Sequence, residues 1–390
     1  MQKYTKRKQV LYIGFYSNES REKIRRYSTP SAVNKMDYIA NVFKRLDCDI
    51  QIVSPSWLIY KSNHLKYVPS NTRYNNSGIT IKYSPSFTSN NKILNILSRF
   101  FSLLWLSLYL FKNTKKDTIV TLYHSASLYF PVLYAKKFRH FKLILEIEEI
   151  YHLFTKTKKK HENALFSLAD GYLFSNKRIK NYFINDSDKK KPFAVINGVY
   201  NIRKSLSIKN KENDFVKVVF AGNIELTRKG AFNTVSCAKY LNDKYLVYII
   251  GFGEKNDIKK LIKEIKKTNN FLGYEKCKYL GVKHGKDYDD FLSSCDIAIN
   301  PQEANENYMQ FAFPSKVISY LCYNLKTVST KLQTIEDSEF ADLITLVQTP
   351  TPEKFANAIM QLKLNKPFDA SDRIKKADFN FLNDLKQLIS

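Results

Sequence analysis

A polar turn that opens a helical pattern is the strongest candidate for a phosphate-binding site in this sequence. The turn consists of Phe313, Pro314, Ser315 and Lys316 and follows a predicted strand and loop. Because the first turn of a helix has unpaired N–H groups and the positive end of the helix dipole, a diphosphate can bind there. We predict that Ser315 is the N-cap and that Lys316 supplies a charge. The alternative is a capped core helix with an exposed lysine.

A second basic loop follows a β-branched run at residues 216–220. Gly222 and Asn223 end the run, and Arg228 and Lys229 precede the next helical stretch. A glycine at the end of a strand lets a ligand approach the backbone, and a lysine at a helix start supplies a point charge for phosphate. A plain strand-to-helix turn with a solvated Arg-Lys pair is the alternative.

A third turn, containing Gly251 and Gly253, ends the predicted strand at residues 245–250. A Gly-x-Gly turn alone gives weak support for ligand binding. Together with Gly222, however, it predicts glycine-rich turns at the C-terminal ends of neighbouring strands, where open α/β sheets bind ligands.

The first half of the chain has polar residues at two predicted strand ends. His124 follows the strand at residues 118–123, and Glu146, Glu148 and Glu149 end another strand. Alternation along a strand places Glu146 and Glu148 on one face and Glu149 on the other. Carboxylates there can bind acceptor hydroxyls or transfer a proton. A structural histidine and salt bridges from glutamate to lysine are the alternatives.

These residues lie in a pattern of short β-branched and aromatic runs separated by helical stretches, which predicts an α/β fold with parallel strands. The pattern occurs twice, on either side of a polar, Lys-rich stretch. We therefore predict an N-terminal domain at 1–200, a C-terminal domain at 201–372 and a final helix at 373–390 that could pack back on the N-terminal domain. The predicted strands are residues 10–15, 49–53, 118–123, 141–147, 171–174 and 193–196, then 216–220, 245–250, 278–280, 296–299 and 327–329.

Length and composition indicate a folded protein of two domains. The chain has 390 residues, 44% of them hydrophobic, with 11 Gly and 11 Pro, which excludes disordered and collagen-like classes. Its five cysteines form no Cys-x-x-Cys pair, so neither a disulfide framework nor a zinc site is predicted. The basic N-terminus leads into a short apolar run without a cleavage site, so we expect a cytoplasmic protein.

The net charge is +27 and is concentrated in the first half. Residues 1–200 contain 34 Lys and Arg against 13 Asp and Glu, or +21, whereas residues 201–390 contain 29 against 23, or +6. Such a surface attracts nucleic acid, an anionic membrane or a phosphorylated substrate. We disfavour nucleic acid because no recognised binding motif accompanies the charge. Solvated lysines on ordinary helix surfaces are the simpler alternative.

Residues 93–111 are mostly apolar over a length close to the roughly 20 residues that a membrane-spanning helix needs. Asn95, Ser98, Arg99 and Ser102 nevertheless fall on one helical face, and an arginine near the middle of a span is unfavourable. The sequence therefore predicts an amphipathic helix. Its apolar face either covers the sheet or dips into a membrane surface.

In their order along the chain, these motifs resemble the family-four retaining glycosyltransferases (glycosyl transferases group 1), which have the GT-B fold. That α/β fold consists of two facing Rossmann-like domains with parallel sheets. The matching residues are the strand at 10–15, His124, Glu162 before Ala169-Asp170-Gly171, the segment 196–199, Lys229-Gly230, the segment 295–301 and Pro314-Ser315-Lys316. The resemblance covers nearly the whole chain.

The resemblance implies a donor site, an acceptor site and two catalytic residues, His124 and Lys229. His124 is expected near the transferred sugar, and Lys229 on the donor phosphate. The expected donor-binding residues are Gly222, Asn223, Arg228, Lys229, Gly251, Gly253, Tyr308, Met309, Phe313, Pro314, Ser315, Lys316 and Ser319. The expected acceptor-binding residues are Ser31, Lys35, Glu148 and Glu149.

The chain also departs from the pattern of this family. Asn223 stands where an arginine is usual, although Arg228 lies near enough to supply a guanidinium. Phe311 and Ser319 replace the usual pair of glutamates, so Ser319 offers the nucleotide ribose only a neutral hydrogen bond. The usual double-glycine acceptor loop is replaced by a segment that ends in Ser31.

The function implied by the resemblance is transfer of a sugar, with retention, from a nucleoside diphosphate sugar to a glycan or a polyprenyl-diphosphate-linked acceptor. The pathway would be synthesis of a surface polysaccharide, such as capsule, or of a glycoconjugate. We expect no cofactor besides the nucleotide sugar and no metal, since the acidic residues at 287–290 suit the first turn of a helix. A peripheral position on the inner face of the cell membrane would fit the basic first half. The altered residues leave open a non-catalytic homologue that binds sugar or a partner transferase.

Overall fold

The computed structural model describes residues 7–17, 25–59, 62–123, 125–154, 159–184, 191–203, 215–303 and 306–390. The chain divides into two compact units. Unit 1 contains Met1–Ser175, Ile179–Ile196 and Asn380–Ser390, and unit 2 contains Asn176–Arg178 and Asn197–Phe379.

Unit 1 is built on a mostly parallel sheet. Its strands are β1 (Gln9–Ile13), β2 (Asp49–Ser54), β3 (Lys66–Val68), β4 (Asn71–Tyr74), β5 (Thr80–Tyr83), β6 (Ser86–Thr88), β7 (Ile119–Tyr123), β8 (Lys142–Ile147), β9 (Gly171–Phe174) and β10 (Phe193–Val195). The sheet has the order β10-β9-β8-β7-β1-β2-β5-β4, and only β4 is antiparallel to its neighbour. β3 and β6 form a separate antiparallel ribbon. Both faces of the central strand β1 are buried, which explains its continuous apolar run.

The helices of unit 1 flank this sheet. They are α1 (Pro30–Arg45), α2 (Lys92–Asn113), α3 (Tyr129–Arg139), α4 (Tyr151–Phe154), α5 (Lys159–Leu168) and α6 (Lys177–Phe183). α1 starts with a proline at its first turn, a position where a missing N–H is tolerated. It packs on β1 and β2 through Met36, Ile39 and Phe43, all fully buried.

Unit 2 is a doubly wound parallel sheet. Its strands are β11 (Val216–Ile224), β12 (Tyr245–Gly253), β13 (Cys277–Tyr279), β14 (Ile297–Asn300), β15 (Lys326–Thr330) and β16 (Ile344–Val347). Its helices are α7 (Gly230–Cys237), α8 (Lys255–Leu272), α9 (Gly285–Ser293), α10 (Glu306–Phe311), α11 (Ser315–Cys322), α12 (Gln333–Glu336) and α13 (Pro352–Met360). The last helix, α14 (Ser371–Ile389), begins in unit 2 and ends in unit 1. The strand order β13-β12-β11-β14-β15-β16 is the 3-2-1-4-5-6 order of Rossmann domains.

The α/β fold with parallel sheets predicted from the sequence is confirmed. All eleven predicted strands are present, with ends shifted by a few residues. The sequence analysis missed β16 and the short strands between residues 66 and 88. The C-terminal end of α14 packs on other parts of unit 1, where Phe381 stacks on Tyr38 and the Nζ atom of Lys8 donates to the carbonyl of Ile389 at 2.6 Å.

The five cysteines are unpaired and buried. Burial raises the pKa of the thiols of Cys237, Cys277 and Cys322 to about 12. These side chains fill the cores of the two units, as expected for a small apolar side chain.

Helix α2 lies with its predicted polar face toward the domain. Ser98 and Ser102 are buried, followed along the same face by Leu106 and Leu110. Most of the apolar side chains of the helix are exposed instead. The alternative in which the apolar face covers the sheet is therefore wrong, except for the two leucines at the C-terminal end.

Candidate functional site

The glycines of the two predicted turns lie inside paired strands. In the parallel register of β11 and β12, Gly222 pairs with Gly251 and Ile224 with Gly253. A Cβ atom on Gly251 would lie 1.9 Å from the carbonyl oxygen of Gly222, and one on Gly253 would lie 2.3 Å from that of Ile224. The prediction of turns here is therefore wrong. Glycine is required because the two backbones approach closely at the C-terminal edge of the sheet.

The loops after β11 and β14 meet where the strand order reverses. The backbone N–H of Glu303 donates to the carbonyl of Arg228 at 2.9 Å, and Asn233 Nδ2 donates to the carbonyl of Pro301 at 3.0 Å. Open α/β sheets bind their ligands at such a reversal. The basic loop is therefore located where this fold places a ligand.

Lys229 and Arg228 are held in weak, exposed ion pairs. Lys229 is the N-cap of α7, with a left-handed φ of 49°, and its Nζ atom lies 2.9 Å from Glu303 Oε2. Arg228 Nε lies 3.2 Å from Glu225 Oε1. The side chains of Lys229 and Arg228 are 48% and 44% exposed. Exposed ion pairs contribute about 1 kcal/mol or less, so a phosphate can compete for either cation.

Lys316, by contrast, directs its ammonium group into the domain. Nζ lies 4.2 Å from the centre of the Phe220 ring, and a Cβ atom on Gly222 would lie only 2.9 Å from Nζ. Within the described part of the chain, this ammonium has no hydrogen bond and no carboxylate within salt-bridge distance. Lys316 is half-buried, and a cation packed against an apolar ring without a partner is unfavourable, so an anionic ligand would stabilise it.

The pKa of Lys316 reflects this environment. Burial and the nearby Arg228 guanidinium lower it from 10.5 to about 7, while Glu225 raises it slightly. The lysine is therefore only partly charged at neutral pH. A bound phosphate would favour the charged form.

The start of α11 differs by one residue from the prediction. Pro314 is the N-cap, Ser315 is the first helical residue, and the Ser315 hydroxyl makes no capping bond. The prediction that Ser315 caps the helix is therefore wrong. Pro314 is buried, Phe313 is half-buried and Ser315 is exposed. The amides of Ser315 and Lys316 lie in the first turn, where an intrahelical acceptor is absent.

Two aromatic residues that the sequence analysis did not select hold these groups together. The Tyr320 hydroxyl donates to the carbonyl of Ala221 at 3.1 Å and accepts from its N–H at 2.9 Å, which fastens α11 to the end of β11. The Phe220 ring touches Lys316 on one side, and a Cβ atom on Gly230 would lie 2.7 Å from it. Their roles depend on contacts far apart in sequence, so only the apolar strand and helix patterns pointed to them.

Ser319 lies on α11 one turn after Lys316, as predicted. Its hydroxyl is hydrogen-bonded to the phenol of Tyr288, whose pKa is raised by burial and lowered by that bond. Ser319 therefore already has a neutral partner in this structure. Asn223, where the family that the sequence resembles usually has an arginine, is exposed at the end of β11.

Three predicted residues cannot be placed. His124 lies outside the described residues, and so do the side chains of Tyr308 and Met309 on α10. The prediction that His124 is catalytic and that Tyr308 and Met309 bind the donor is therefore neither supported nor contradicted by geometry.

In unit 1, Lys35 and two of the glutamates form a buried cluster. Lys35 Nζ forms a salt bridge with Glu148, lies 3.9 Å from Glu146 Oε1 and donates to the carbonyl of Ile196 at 3.3 Å. Glu146 and Glu148 thus share one face, as the strand alternation predicted. The alternative of a salt bridge from glutamate to lysine holds for Glu148, so Lys35 is not a free cation.

Glu146 is the most buried carboxyl group of this cluster. It accepts a hydrogen bond from the Tyr12 hydroxyl. Burial, together with the neighbouring Glu148, raises the pKa of Glu146 to about 8, although Lys35 lowers it. Glu146 is therefore mostly protonated at neutral pH. The sequence analysis placed it on the correct face but did not include it among the binding residues.

The remaining predicted acceptor residues lie at the surface of unit 1. Ser31 is exposed on α1, and Glu149 is exposed after β8. In unit 2, the acidic run begins in the first turn of α9, where Asp289 accepts a hydrogen bond from Tyr323 at 2.5 Å. Among the described residues, no group of three or more His, Cys, Asp or Glu side chains is arranged to hold a metal ion.

The whole chain is similar in fold to solved glycosyltransferase structures. A structure described as trehalose-6-phosphate from E. coli bound with UDP-2-fluoro glucose has a TM-score of 0.67 at 11% identity, covering 98% of this chain and 99% of that one. Anabaena HepE in complex with UDP has a TM-score of 0.63 at 12% identity, covering 97% and 98%. An apo lipopolysaccharide outer core galactosyltransferase has a TM-score of 0.57 at 15% identity, covering 98% and 99%. The chain therefore has the GT-B fold with two Rossmann-like domains.

Sequence comparison adds a match of one segment of unit 2 to a family model. Residues 216–365 match the family described as Glycosyl transferases group 1. The matched segment contains Gly222, Arg228, Lys229, Lys316 and the other predicted donor-binding residues. Among curated protein sequences, none matches this chain significantly. Fold and segment together support a GT-B glycosyltransferase.

Proposed function

We propose that this protein transfers a sugar from a nucleoside diphosphate sugar to an acceptor with retention of configuration. The observation that carries the proposal is the ammonium of the half-buried Lys316 at the start of α11, which lies beside Gly222 and the Phe220 ring and has no hydrogen-bonding partner among the described residues. An anion is the ligand that such a site favours. The match of residues 216–365 to glycosyl transferases group 1 supports a sugar nucleotide as the source of that anion.

The proposed catalytic effect is electrostatic. As the bond from sugar to diphosphate breaks, negative charge develops on the leaving phosphate. Lys229, Lys316 and the first amides of α11 would stabilise this charge, and we propose that they do so without a metal ion or other cofactor. Removing one such group from an active site typically slows a reaction by about 10²- to 10³-fold. His124 is proposed to lie near the transferred sugar.

Uridine diphosphate sugars are the first donors to test. Two structures with this fold contain UDP-2-fluoro glucose and UDP, respectively. The exposed ion pairs of Arg228 and Lys229 would open to admit the diphosphate, and Ser319 would exchange its bond with Tyr288 for one with the ribose. We propose that Tyr308, Met309 and Phe313 border the same donor.

For the acceptor, we propose a glycan or a polyprenyl-diphosphate-linked sugar in surface polysaccharide or glycoconjugate synthesis. Ser31, Glu148 and Glu149 would bind its hydroxyl groups, and Lys35 would hold Glu148 in position. A cytoplasmic location at the inner face of the cell membrane suits such an acceptor. The basic first half of the chain, at +21 over residues 1–200, favours an anionic membrane surface.

A panel of nucleotide sugars, screened by thermal shift and then by donor hydrolysis and transfer to lipid-linked glycans, tests the proposal. Lys229→Ala should abolish donor binding. The matched control is Lys278→Ala, because Lys278 is 40% exposed in unit 2 and also pairs with a glutamate, at 2.8 Å. Unchanged donor affinity in the Lys229→Ala variant would contradict the assignment of Lys229 to the donor-binding site.

A second candidate function is a non-catalytic homologue that binds sugar or a partner transferase. Asn223 and Phe311 replace charged residues of the related family, and Ser319 is engaged by Tyr288. Donor binding without turnover, with every lipid-linked acceptor in the panel, would favour this function over transfer.

A further inference from the structure

Helix α2 exposes an apolar surface that is unusual for a helix on a folded domain. Ser98 and Ser102 face the domain, while Phe100 and Ile93 are 67% and 68% exposed. The exposed apolar side chains of the helix are Ile93, Ile96, Leu97, Phe100, Phe101, Leu104, Leu108 and Phe111. A contiguous surface of this kind marks an interaction site more often than it marks an ordinary solvent-facing helix.

Hydrogen bonds fix α2 in this orientation. Ser98 Oγ lies 2.9 Å from Ser86 Oγ and accepts from the backbone N–H of Phe87 at 2.9 Å. Ser102 Oγ accepts from Trp57 Nε1 at 3.0 Å. These bonds would break if α2 turned over or left the domain to cross a membrane, although its length and composition would allow a span. The exposed apolar side is therefore part of the folded domain.

Helix α3 extends the same surface. Phe130, Tyr134 and Phe138 are spaced four residues apart and are 69%, 59% and 51% exposed. The Phe138 ring lies 6.4 Å from the ring of Phe111, which joins the two helices at the surface. We call the exposed apolar side chains of α2 and α3 the α2–α3 face.

Charge identifies the partner of the α2–α3 face. Residues 92–139 contain eight Lys and Arg and one acidic residue, Asp117. Lys112, Lys115 and Lys116 are exposed at the end of α2. A second copy of the chain would bring the same positive charge to this surface and would be repelled. An anionic lipid surface offers both an apolar interior and negative headgroups.

We propose that the α2–α3 face lies in the plane of an anionic membrane, with its apolar side chains below the headgroups. Lys112, Lys115 and Lys116 would then lie at the lipid phosphates. This inference supplies a surface for the membrane association proposed above. It does not require that the protein transfer sugar. Vesicle binding and donor binding can therefore fail independently.

Co-sedimentation of the full chain with lipid vesicles tests the proposal. The vesicles contain phosphatidylcholine alone or phosphatidylcholine mixed with phosphatidylglycerol. The variant Phe100→Ser/Leu104→Ser removes two exposed apolar groups and keeps the charge. Its matched control is Phe271→Ser on α8 of unit 2, where the side chain is 74% exposed.

We expect the wild type and the Phe271→Ser control to bind the anionic vesicles. The partition coefficient of the double variant should be lower by about tenfold or more. High salt should release the bound protein, because the headgroup attraction is screened. Equal binding of the double variant would overturn the proposal. Retention in high salt with resistance to extraction would also overturn it, because it indicates a spanning helix.

A charge variant tests the choice of partner. Lys112→Gln/Lys115→Gln/Lys116→Gln keeps the apolar residues and should reduce binding to anionic vesicles while leaving binding to neutral ones unchanged. Sedimentation velocity without lipid tests the alternative of a second copy. A stable dimer that the Phe100→Ser/Leu104→Ser variant dissociates, combined with no vesicle binding, would overturn the membrane proposal in favour of self-association.

Discussion

Donor binding should draw a proton onto Lys316, and the replacement Lys316→Met should abolish this uptake. In the unliganded protein, burial and Arg228 hold the pKa of Lys316 at about 7. A diphosphate beside the ammonium would restore a pKa well above neutral, because the charged form gains a partner. Methionine has a similar length and cannot take up a proton.

The magnitude follows from the titration of a single group. At pH 8, about one tenth of the lysine is protonated in the free protein, so binding should take up about 0.9 proton; at pH 6 it should take up about 0.1. The same titration gives the direction in which donor affinity changes with pH. Donor affinity should be constant below pH 7 and should weaken above it, approaching about tenfold per pH unit.

Isothermal titration calorimetry in buffers of different ionisation enthalpy measures the uptake directly. The ligand should be the nucleotide sugar that gives the largest thermal shift, because its diphosphate does not titrate between pH 6 and 9. The Lys316→Met variant should bind this nucleotide sugar about 100-fold more weakly than the wild type, or more weakly still. Lys278→Met, which removes an exposed lysine of the same unit, should behave as the wild type.

Stability provides a second readout of the same substitution. Because folding depresses the pKa of Lys316, this lysine lowers the free energy of unfolding at pH values below 10.5, by on the order of 4 kcal/mol at pH 7. Lys316→Met should therefore unfold at a higher denaturant concentration, and its advantage should shrink as pH rises. Proton uptake below about 0.2 at pH 8 in the wild type, or equal uptake in the variant, would refute the assignment of Lys316 to the phosphate.

Three further predictions concern neighbouring groups. Tyr320→Phe removes both hydrogen bonds to Ala221 and should lower the free energy of unfolding by about 1 to 3 kcal/mol in urea titrations. Donor binding should also weaken. An unchanged free energy of unfolding and an unchanged donor affinity would show that the Tyr320 hydroxyl does not hold α11 on β11. Glu303→Gln frees Lys229 from an exposed pair and should tighten donor binding by no more than about fivefold in calorimetry, whereas weaker binding would show that the glutamate assists the donor. Glu146→Gln should remove a loss of stability that the wild type shows between pH 4.5 and about 8, since the buried carboxyl is penalised when it ionises. Parallel melting curves of wild type and Glu146→Gln across this range would contradict that pKa.

The sequence predicted the fold well because the buried parallel strands are continuous apolar runs. In β1 and β11, for example, residues 10–13 and 218–221 are apolar and buried on both faces of the strand, as expected for a strand covered on both sides. β16 was missed because it is a short run with half-buried positions. The short strands at residues 66–88 were missed because their polar residues resemble loops.

The binding roles of the predicted site residues stay predictions, and the structure shows only which of these residues are in contact. Lys316 lies against Gly222, as expected because the C-terminal ends of parallel strands and the helix starts that follow them converge. The turn predicted at Gly251 was wrong because its local sequence does not reveal that the neighbouring strand continues beside it. The N-cap was misplaced because Pro314 can precede a helix as well as Ser315 can.

The orientation of α2 shows a general limit of pattern reading. Periodicity identifies an apolar and a polar side of a helix but not which of them faces the domain. Ser98 and Ser102 face inward because hydroxyl and indole groups on the domain bind them. Those partners lie 12 and 45 residues away in sequence.

The buried cysteines make this chain suitable for site-directed labelling without removing any native thiol. A maleimide reacts with the thiolate, and the thiols of Cys237, Cys277 and Cys322, with a pKa of about 12, form it about 3000 times less often than an exposed thiol with a pKa near 8.5. All five cysteines are also buried. One cysteine introduced on each unit, at Phe271 and at Leu104, would accept a pair of fluorophores. Energy transfer between the two fluorophores would then report whether the distance between the two labelled positions changes when a nucleotide sugar is added.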